Sequence, residues 1–488
     1  MSATPQLHAS MTVLWSAVSS VATEANMLRL DAGAYCNASR QWDVTMARQE
    51  NLCRLDSLGT VHQPIIFGKR AMAGSEQKGI PVYSSSEMLM THPEPAFYLS
   101  RRFEKRISHS LAVKQGWVLI SRAGSIGYIF YVPRERDGWI VDDHMIRVIP
   151  SDPEIGALLY TYLSGPLGQT ALHAMAYGAV QLVIKDIQIA SMQIPVPNRA
   201  IIDAIEARVA KASDARSLAV SLAAEAQRRL HATTDLTPLE RVCQSATGDL
   251  SADCECFQVN AALLYSQNSN GSEHRLDAHF YNPTAQQAVA SIRKCREVKT
   301  VGEVAQVIFT GGRIKRNYVE SDHGVPFLSG KNIVQIRPTD LKYLSNLQMA
   351  EMPELLLKQS STLITRSGTI GRTCFVWKNY EDYAGSEHIL RVIPDDSKID
   401  PGYLYAFLSS QYGYEQILRY RHGSVIDEVT DKQIEQVLVP LPSRREQTAI
   451  GDKVREAYDK RAEAIRLEDE AQAILMKELT KAPEAKGV

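Results

Sequence analysis

Apolar residues along the chain follow two rhythms. Short runs such as Val118–Ser121, 128–132 and 146–149 are rich in Ile, Val and aromatics and are punctuated by Gly and Pro, which predicts strands. Short helical stretches are predicted near 155–163 and 402–408. Residues 194–197 (Ile-Pro-Val-Pro) and 439–442 (Val-Pro-Leu-Pro) place two prolines at alternate positions, which suits an extended exit strand. The second rhythm follows each exit. Residues 198–230 contain no Gly or Pro, and Ile201, Ile205, Val209, Leu218 and Leu222 are expected near one helical face. Residues 443–479, with almost no breakers, repeat the pattern with Ile450, Val454, Tyr458, Ile465 and Leu475. A rod of about 33 residues spans roughly 50 Å and cannot bury its stripe alone. Its partner is either its own copy or the domain that precedes it.

The alternation arises because the chain is one unit written twice. Arg29-Leu30-Asp31-Ala32 with Tyr35 recurs as Arg275-Leu276-Asp277-Ala278 with Tyr281, at an offset of 246. Gly79-Ile80-Pro81-Val82 answers to Gly324-Val325-Pro326-Phe327 at 245, and residues 118–132 match 362–376 at 7 of 15 positions at 244. His144 to Pro150 matches His388 to Pro394 at 5 of 7 positions, and Gly178 and Pro195 pair with Gly423 and Pro440. Leu14-Trp15-Ser16 has its own twin in Leu264-Tyr265-Ser266. The mildly apolar stretch 11–22 is therefore expected to belong to the folded unit, not to a leader.

Composition narrows the class. The 488 residues carry 54 Lys plus Arg against 55 Asp plus Glu, a formal charge of −1, which argues against a general polyanion binder but leaves room for a basic face. No run of eighteen apolar residues is present to span a membrane. Seven cysteines form no disulfide framework, and Cys243, Cys254 and Cys256 lack the partners of a zinc site, so the chain reads as cytoplasmic with structural thiols.

Catalytic motifs are missing. Gly324 and Gly330-Lys331-Asn332 approach a P-loop, but five residues separate the glycines and Asn replaces the magnesium-binding hydroxyl. Asn282-Pro283 is followed by Thr284, so the Asn-Pro-Pro-aromatic loop of amino-methyltransferases is absent, and no dinucleotide fingerprint follows a predicted strand. His144 and His388 recur beside carboxylates without a positioned nucleophile. The chain is expected to catalyse nothing by itself and to bind no cofactor or metal.

What remains is a binder with two similar faces. Residues 101–122 carry Arg101, Arg102, Lys105, Arg106, Lys114 and Arg122 against Glu104 alone; residues 293–316 carry seven basic side chains against Glu297 and Glu303. The second excess includes the Gly-rich loop 310–316 with Gly312, Arg313, Lys315 and Arg316, whose amides and guanidinium forks suit phosphates. The paired turns Ser121-Arg122-Ala123-Gly124-Ser125 and Thr365-Arg366-Ser367-Gly368-Thr369 suit a phosphate or a tight hairpin equally. A solvated charged surface is the plain alternative for both excesses.

The order and duplication of these motifs resemble the DNA specificity (S) subunits of type I restriction–modification systems. The likeness rests on the doubled Arg-Leu-Asp-Ala-x-x-Tyr, the Gly-Val-Pro-Phe strand, the 363–371 stretch (Leu-Ile-Thr-Arg-Ser-Gly-Thr-Ile-Gly), and the Val-Pro-Leu-Pro exit followed by Glu446-Gln447 and a long helix. The first unit departs from it, with Ile201 and Ile202 where Glu446 and Gln447 stand. The resemblance implies a mixed α/β (α+β) fold with two target recognition domains, each followed by a long helix, the helices packing as an antiparallel coiled coil with pseudo-twofold symmetry. The expected boundaries are 1–197 and 257–442 for the recognition domains, 198–232 and 443–481 for the helices, 233–256 for a linker and 482–488 for a tail.

The resemblance further implies double-stranded DNA as ligand, read as two different half-sites across a fixed gap. Two modification subunits using S-adenosylmethionine, and a motor-nuclease subunit for restriction, are the implied partners. The residues expected to touch DNA are Lys69, Arg70, Arg101, Arg102, Arg122, Ser125, Gly312, Arg313, Lys315, Arg316, Lys331, Asn332, Arg366, Ser367, Thr369 and Arg372. Residues shared by both copies cannot choose different bases, so Arg122, Arg366, His144 and His388 are expected to be structural or phosphate-contacting. Specificity is expected where the copies diverge, at 68–77 and 311–322 and beside Lys331-Asn332. The rival readings are the specificity part of a type IIB or related defence system and a repeat scaffold that binds protein instead of DNA.

Overall fold

A computed structural model describes residues 45–49, 51–64, 73, 79–123, 126–177, 182–237, 239, 259, 277–309 and 315–481. The Arg29 to Tyr35 motif and Cys243, Cys254 and Cys256 lie outside these residues. The chain divides into two compact units that do not follow chain order. The first takes residues up to Met88, then Glu94–Ser213 and everything from Arg466; the second takes Leu89–Pro93 and Asp214–Ile465.

In the first unit, strands β1 (Leu52–Arg54), β2 (Gly59–His62), β3 (Gly79–Val82), β4 (Phe97–Ser100), β5 (Val118–Ser121), β6 (Ile129–Tyr131), β7 (Met145–Pro150) and β8 (Gln193–Pro195) form three sheets. The main sheet has the order β2-β7-β5-β6 and is antiparallel throughout, while β3 pairs with β4 and β1 with β8. Helices α1 (Pro153–Ser164) and α2 (Pro166–Met175) cover one side of the main sheet, burying Leu158, Leu159 and Tyr162 against Val118, Ile120, Ile146 and Val148. Each of these two helices begins with Pro at a first-turn position, where the missing N–H is not needed. Asp152 caps α1 by accepting from the Ile155 N–H at 3.0 Å.

The second unit repeats the plan after the long helix α3 (Arg199–Thr234). Its strands are β9 (Val298–Thr300), β10 (Ala305–Ile308), β11 (Tyr318–Val319), β12 (Gly324–Leu328), β13 (Lys342–Ser345), β14 (Thr362–Thr365), β15 (Thr373–Phe375), β16 (Ala384–Gly385), β17 (Ile389–Pro394) and β18 (Leu438–Pro440). The order β10-β17-β14-β15 matches the main sheet of the first unit, and β18 pairs with β9 as β8 does with β1. The small sheet is enlarged to β11-β13-β12-β16, with β12 and β16 parallel. Helices α4 (Pro401–Leu408) and α5 (Gln411–Leu418) take the places of α1 and α2, and α6 (Arg444–Leu479) closes the chain.

The two long helices are both 36 residues, and their bounds differ by the repeat offset of 245. Each unit holds one part of each helix. In the first, Ile202, Ile205 and Val209 of α3 share a core with Ala471, Leu475 and Leu479 of α6, and Arg208 pairs with Glu470 at 3.3 Å. In the second, Ala226 and Leu230 of α3 share a core with Ile450, Val454 and Tyr458 of α6. The start of one helix therefore packs with the end of the other in both places, which is antiparallel pairing. The stripe differs from expectation at Leu218, which is 42% exposed, while Ala212, Ala215 and Ala219 are buried. Small side chains, not the largest aliphatic ones, occupy that part of the seam.

The helix starts answer the difference at Ile201 and Ile202. Ser443 and Glu446 form a reciprocal cap, with the Ser443 N–H donating to Glu446 Oε2 at 3.0 Å and Glu446 N–H to Ser443 Oγ at 3.4 Å. The buried Gln447 accepts from the Asp400 N–H at 3.0 Å. At the start of α3, among the described residues, Asn198 alone caps, accepting from the Ile201 N–H at 3.2 Å.

Two arginines show how deep the repetition runs. Arg147 and Arg391 lie in the central strands β7 and β17, 1% and 2% exposed. Arg147 donates to the Asp142, Val141 and Leu111 carbonyls at 2.7, 2.6 and 3.3 Å, and also to Met145 O. Arg391 donates to the Gly385, Leu355 and Ile389 carbonyls at 2.7, 3.3 and 3.3 Å. Leu111, Val141 and Met145 match Leu355, Gly385 and Ile389 at 244. Burial pushes both guanidinium groups down to about 10, the cost of a charge held mainly by backbone dipoles.

Candidate nucleic-acid interface

The turns after β5 and β14 are tight hairpins built on the same bonds. Ser121 Oγ accepts from the Tyr128 N–H at 2.9 Å, and Thr365 Oγ1 accepts from the Arg372 N–H at 3.0 Å. Gly127 and Gly371, at φ +81° and +83°, return their N–H groups to the Ser121 and Thr365 carbonyls. This left-handed conformation is what requires glycine there. Arg122 and Arg366 follow the strands directly and are pinned by backbone on both sides. Their N–H groups donate to His144 O and His388 O, and their carbonyls accept from the Ile184 and Val429 N–H groups.

The side chain of Arg366 is turned inward. It pairs with Glu428 at 2.9 Å, donates from Nε to Val429 O at 3.2 Å, and stacks 4.3 Å from the Phe309 ring centroid, with only 13% of the side chain exposed. Arg122 buries its Nε with no hydrogen-bond partner among the described residues. At the tip of the second turn, Gly368 and Thr369 are exposed, Ser367 bridges to Glu428, and the Gly368 N–H donates to Asp427 O at 3.1 Å. Arg372 stands 5.6 Å from the ring of Tyr414.

Beside this turn the structure fixes both ends of the Gly-rich loop. Phe309, the last described residue before it, lies under Arg366. Beyond it, the buried Gln348 grips the chain, donating to Lys315 O at 2.7 Å and accepting from the Asn317 N–H at 3.0 Å. Arg316 reaches the buried Glu387 and the Tyr318 hydroxyl, and lies 5.3 Å from the ring of Phe327. Lys342 lies 4.8 Å from the ring of Tyr318, which is itself 42% exposed. The result is a strip of aromatic faces and guanidinium or ammonium groups on the small sheet, a composition suited to phosphates and bases. The copies differ here: at the offset of 245 that relates β3 to β12 and β4 to β13, Val82 stands at Phe327 and Phe97 at Lys342, whereas at the 246 that relates β2 to β10, Lys69-Arg70 answers to Lys315-Arg316 and Met72 to Tyr318.

The remaining expected residues are distributed differently. Arg101 and Arg102 are exposed directly after β4, on the small sheet of the first unit and not on the sheet that holds Arg122. Lys331 is half exposed and pairs with Asp340 at 3.4 Å. Asn332 is buried: its amide donates to Thr339 O at 2.8 Å, and its oxygen accepts from the Ser329 N–H and hydroxyl at 3.0 and 2.6 Å. It shapes the turn after β12. Lys69, Arg70, Ser125, Gly312 and Arg313 lie outside the described residues.

Sequence reading missed Phe309, Gln348 and Lys342, and took Glu387 only as a carboxylate neighbouring His388. Glu387 stands beside the recurring His388, whose Nε2 lies 3.6 Å from it, but its pairing with Arg316 bridges 71 residues and leaves no local signature. Near the equivalent turn of the first unit, Asp142 is buried and its carboxyl is pushed up to about 6. Burial is the main cause, opposed by His144 and its N–H. Among the described residues no group of three or more His, Cys, Asp or Glu could hold a metal ion, and no helix is long and apolar enough to cross a membrane.

Two sheets of the same order, two hairpins pinned by the same bonds and two equal helices define a duplicated recognition fold. The family model described as the type I restriction modification DNA specificity domain matches residues 62–210 and 295–470, one copy in each repeat, and the chain belongs to that family. Among solved structures, the S subunit of a type I restriction-modification system from M. genitalium is 13% identical, with a TM-score of 0.36, covering 89% of this chain and 96% of its own. The HsdS subunit from Thermoanaerobacter tengcongensis is 16% identical with a TM-score of 0.28, covering 88% and 96%. No curated protein matches the sequence.

Proposed function

We propose that the chain is the DNA-reading subunit of a type I restriction–modification complex. Each repeat reads one half of a split, asymmetric site, and the paired helices α3 and α6 set the unread gap. Two modification subunits, which hold S-adenosylmethionine and methylate adenine, assemble on it, and a motor-nuclease subunit joins for restriction. The chain contributes recognition and no chemistry.

The observation that carries this reading is repetition in the framework combined with divergence at the strip beside it. The buried arginines, the hairpin turns and the long helices recur at offsets of 244 to 245, whereas Tyr318, Phe327 and Lys342 correspond in sequence to Met72, Val82 and Phe97. A protein with two equivalent scaffolds and two different strips reads two different sequences at a fixed separation. The strip supplies the chemistry. Arginine and lysine beside the exposed ring of Tyr318 engage phosphates and base edges, while the small sheet, with Phe327 buried in it, holds them on a rigid base. Glu387 restrains Arg316, so less conformational freedom is lost when the guanidinium meets DNA.

Exchange of residues 311–322 for the corresponding loop of a subunit with another specificity tests the reading. The expected result is a new sequence at one half-site with the other half and the gap unchanged. A change at both halves, or at neither, contradicts it.

A further inference from the structure

The second compact unit contains a cavity of about 400 Å³ that DNA reading does not use. Its walls come from α3, α4, α6 and the turn after α4, with Thr91 and His92 of the Leu89–Pro93 segment. Ala223, Ala224, Ala406, Val454 and Ala457 belong to the apolar part of the lining. Val220, 45% exposed, also lines it, so the cavity is reached from solvent. Gln227 of α3 fixes the shared wall by donating to Ala406 O at 2.8 Å and to Ser409 Oγ at 3.2 Å. A volume of this size suits a small ligand.

One permanently charged group meets that apolar lining. Arg461 of α6 lines the cavity and is 8% exposed, and no Lys, Asp or Glu lines it. The buried Arg147 and Arg391 are held by backbone carbonyls. Arg461, among the described residues, has neither a carboxylate within pairing distance nor a carbonyl acceptor. Its neighbours are the Tyr458 ring, 4.5 Å away, and the Tyr405 hydroxyl. Arginine keeps its charge when buried, and a buried charge without a counter-charge is costly. An anion in the cavity offsets that cost.

The tyrosines complete the cradle. The Tyr458 hydroxyl accepts from the Phe375 N–H at 2.9 Å and donates to the Tyr405 hydroxyl at 3.0 Å. Tyr405, 5% exposed, is therefore already an acceptor and keeps its own proton to donate. At pH 8 the imidazoles of His92 and His231, which also line the cavity, are neutral. One guanidinium and one hydroxyl then suit a single carboxylate, whereas a phosphate dianion would keep an uncompensated charge. Arg216 matches Arg461 at the helix offset of 245, but Ser213 stands where Tyr458 does, so the cradle is not part of the repeated framework.

We infer that this cavity binds a small molecule that joins one carboxylate to an apolar body, an aromatic or medium-chain acid. The carboxylate takes Arg461 and Tyr405, and the apolar body lies along the alanines of α3 and α6. This site stands independently of DNA reading.

The test uses the full-length chain at pH 8 with 2-naphthoate, indole-3-acetate and octanoate as probes, each beside its primary alcohol, and isothermal calorimetry as the readout. The expected result is a Kd of about 1 mM or tighter for at least one acid. Binding should be weaker by about tenfold or more for the corresponding alcohol and for Arg461→Met. Ala223→Leu keeps Arg461 and narrows the cavity, so it should lose the acid as well, and it carries the test if Arg461→Met fails to fold in a circular dichroism melt. Equal binding of acid and alcohol, undiminished binding by either variant that folds, or no binding of any of these acids overturns the inference.

Discussion

Asp142 offers a test in which the molecule carries its own control. Its carboxylate is buried, and one oxygen accepts from the His144 N–H at 3.1 Å. The matching position in the second unit is Ser386, whose hydroxyl accepts from the His388 N–H at 3.3 Å. A neutral acceptor therefore does the same structural work. Burial raises the Asp142 carboxyl from 3.8 to about 6, with Asp143 adding to the rise and His144 and Arg147 opposing it. At about 1.4 kcal/mol per pH unit, this corresponds to about 3 kcal/mol between the two states of ionisation. The sign follows from which state holds the proton. Below pH 4 both folded and unfolded chains are protonated here and nothing is lost. Between about pH 4 and 6 the unfolded chain ionises while the folded one does not, so this group's effect on stability becomes more unfavourable as pH rises and levels off above 6. Asp142→Asn keeps the accepting oxygen and removes the titration. Calorimetry of both proteins from pH 4 to 8 should show the variant more stable at pH 7, by up to about 3 kcal/mol, with the gap closing towards pH 4. A gap independent of pH, or a variant less stable at pH 7, would refute the reasoning.

Three further substitutions separate scaffold from DNA contact. Arg391→Met leaves the Gly385, Leu355 and Ile389 carbonyls without their charged donor and should cost about 2–5 kcal/mol by calorimetry; a cost below about 1 kcal/mol would show that the donor is dispensable. Arg366→Ala removes the tie to Glu428, Val429 and Phe309, so it should lower thermal stability while leaving the slope of log affinity against log salt unchanged in a DNA titration. A slope reduced by about one would mean that Arg366 neutralises a phosphate after all. In the same titration Arg316→Ala should weaken binding through one half-site only, seen with duplexes altered at either half.

The framework was legible because duplication doubles every weak signal. A single Arg-Val-Ile-Pro run says little, but the same run 244 residues on, beside a matched hairpin, marks a strand. The long helices were legible from their near lack of breakers (Gly451 is the one glycine of α6), and α3 and α6 begin at Arg199 and Arg444, one residue beyond the predicted starts. Their packing face was less so. Leu218 fits a helical stripe by spacing, yet alanines hold that part of the seam, because close approach favours small side chains and hydropathy does not report closeness. Arg147 and Arg391 were illegible for a related reason: a charged residue in an apolar strand reads as facing solvent unless the carbonyls that receive it are known. Arg366 was read with two options open, and the inward contacts appear only when Phe309, Glu428 and Val429 are brought together from three elements. Asn332 looked like a polar group free for DNA, but its hydrogen bonds to Ser329 and Thr339 use it in the turn.

The most direct test of the central claim is the methylation pattern that this chain directs. Co-expression with the modification subunit of the same system, followed by mapping of methylated adenines across a genome, gives the site that is read. The account predicts two short, unlike half-sequences separated by a gap of constant length. A single continuous motif would contradict it.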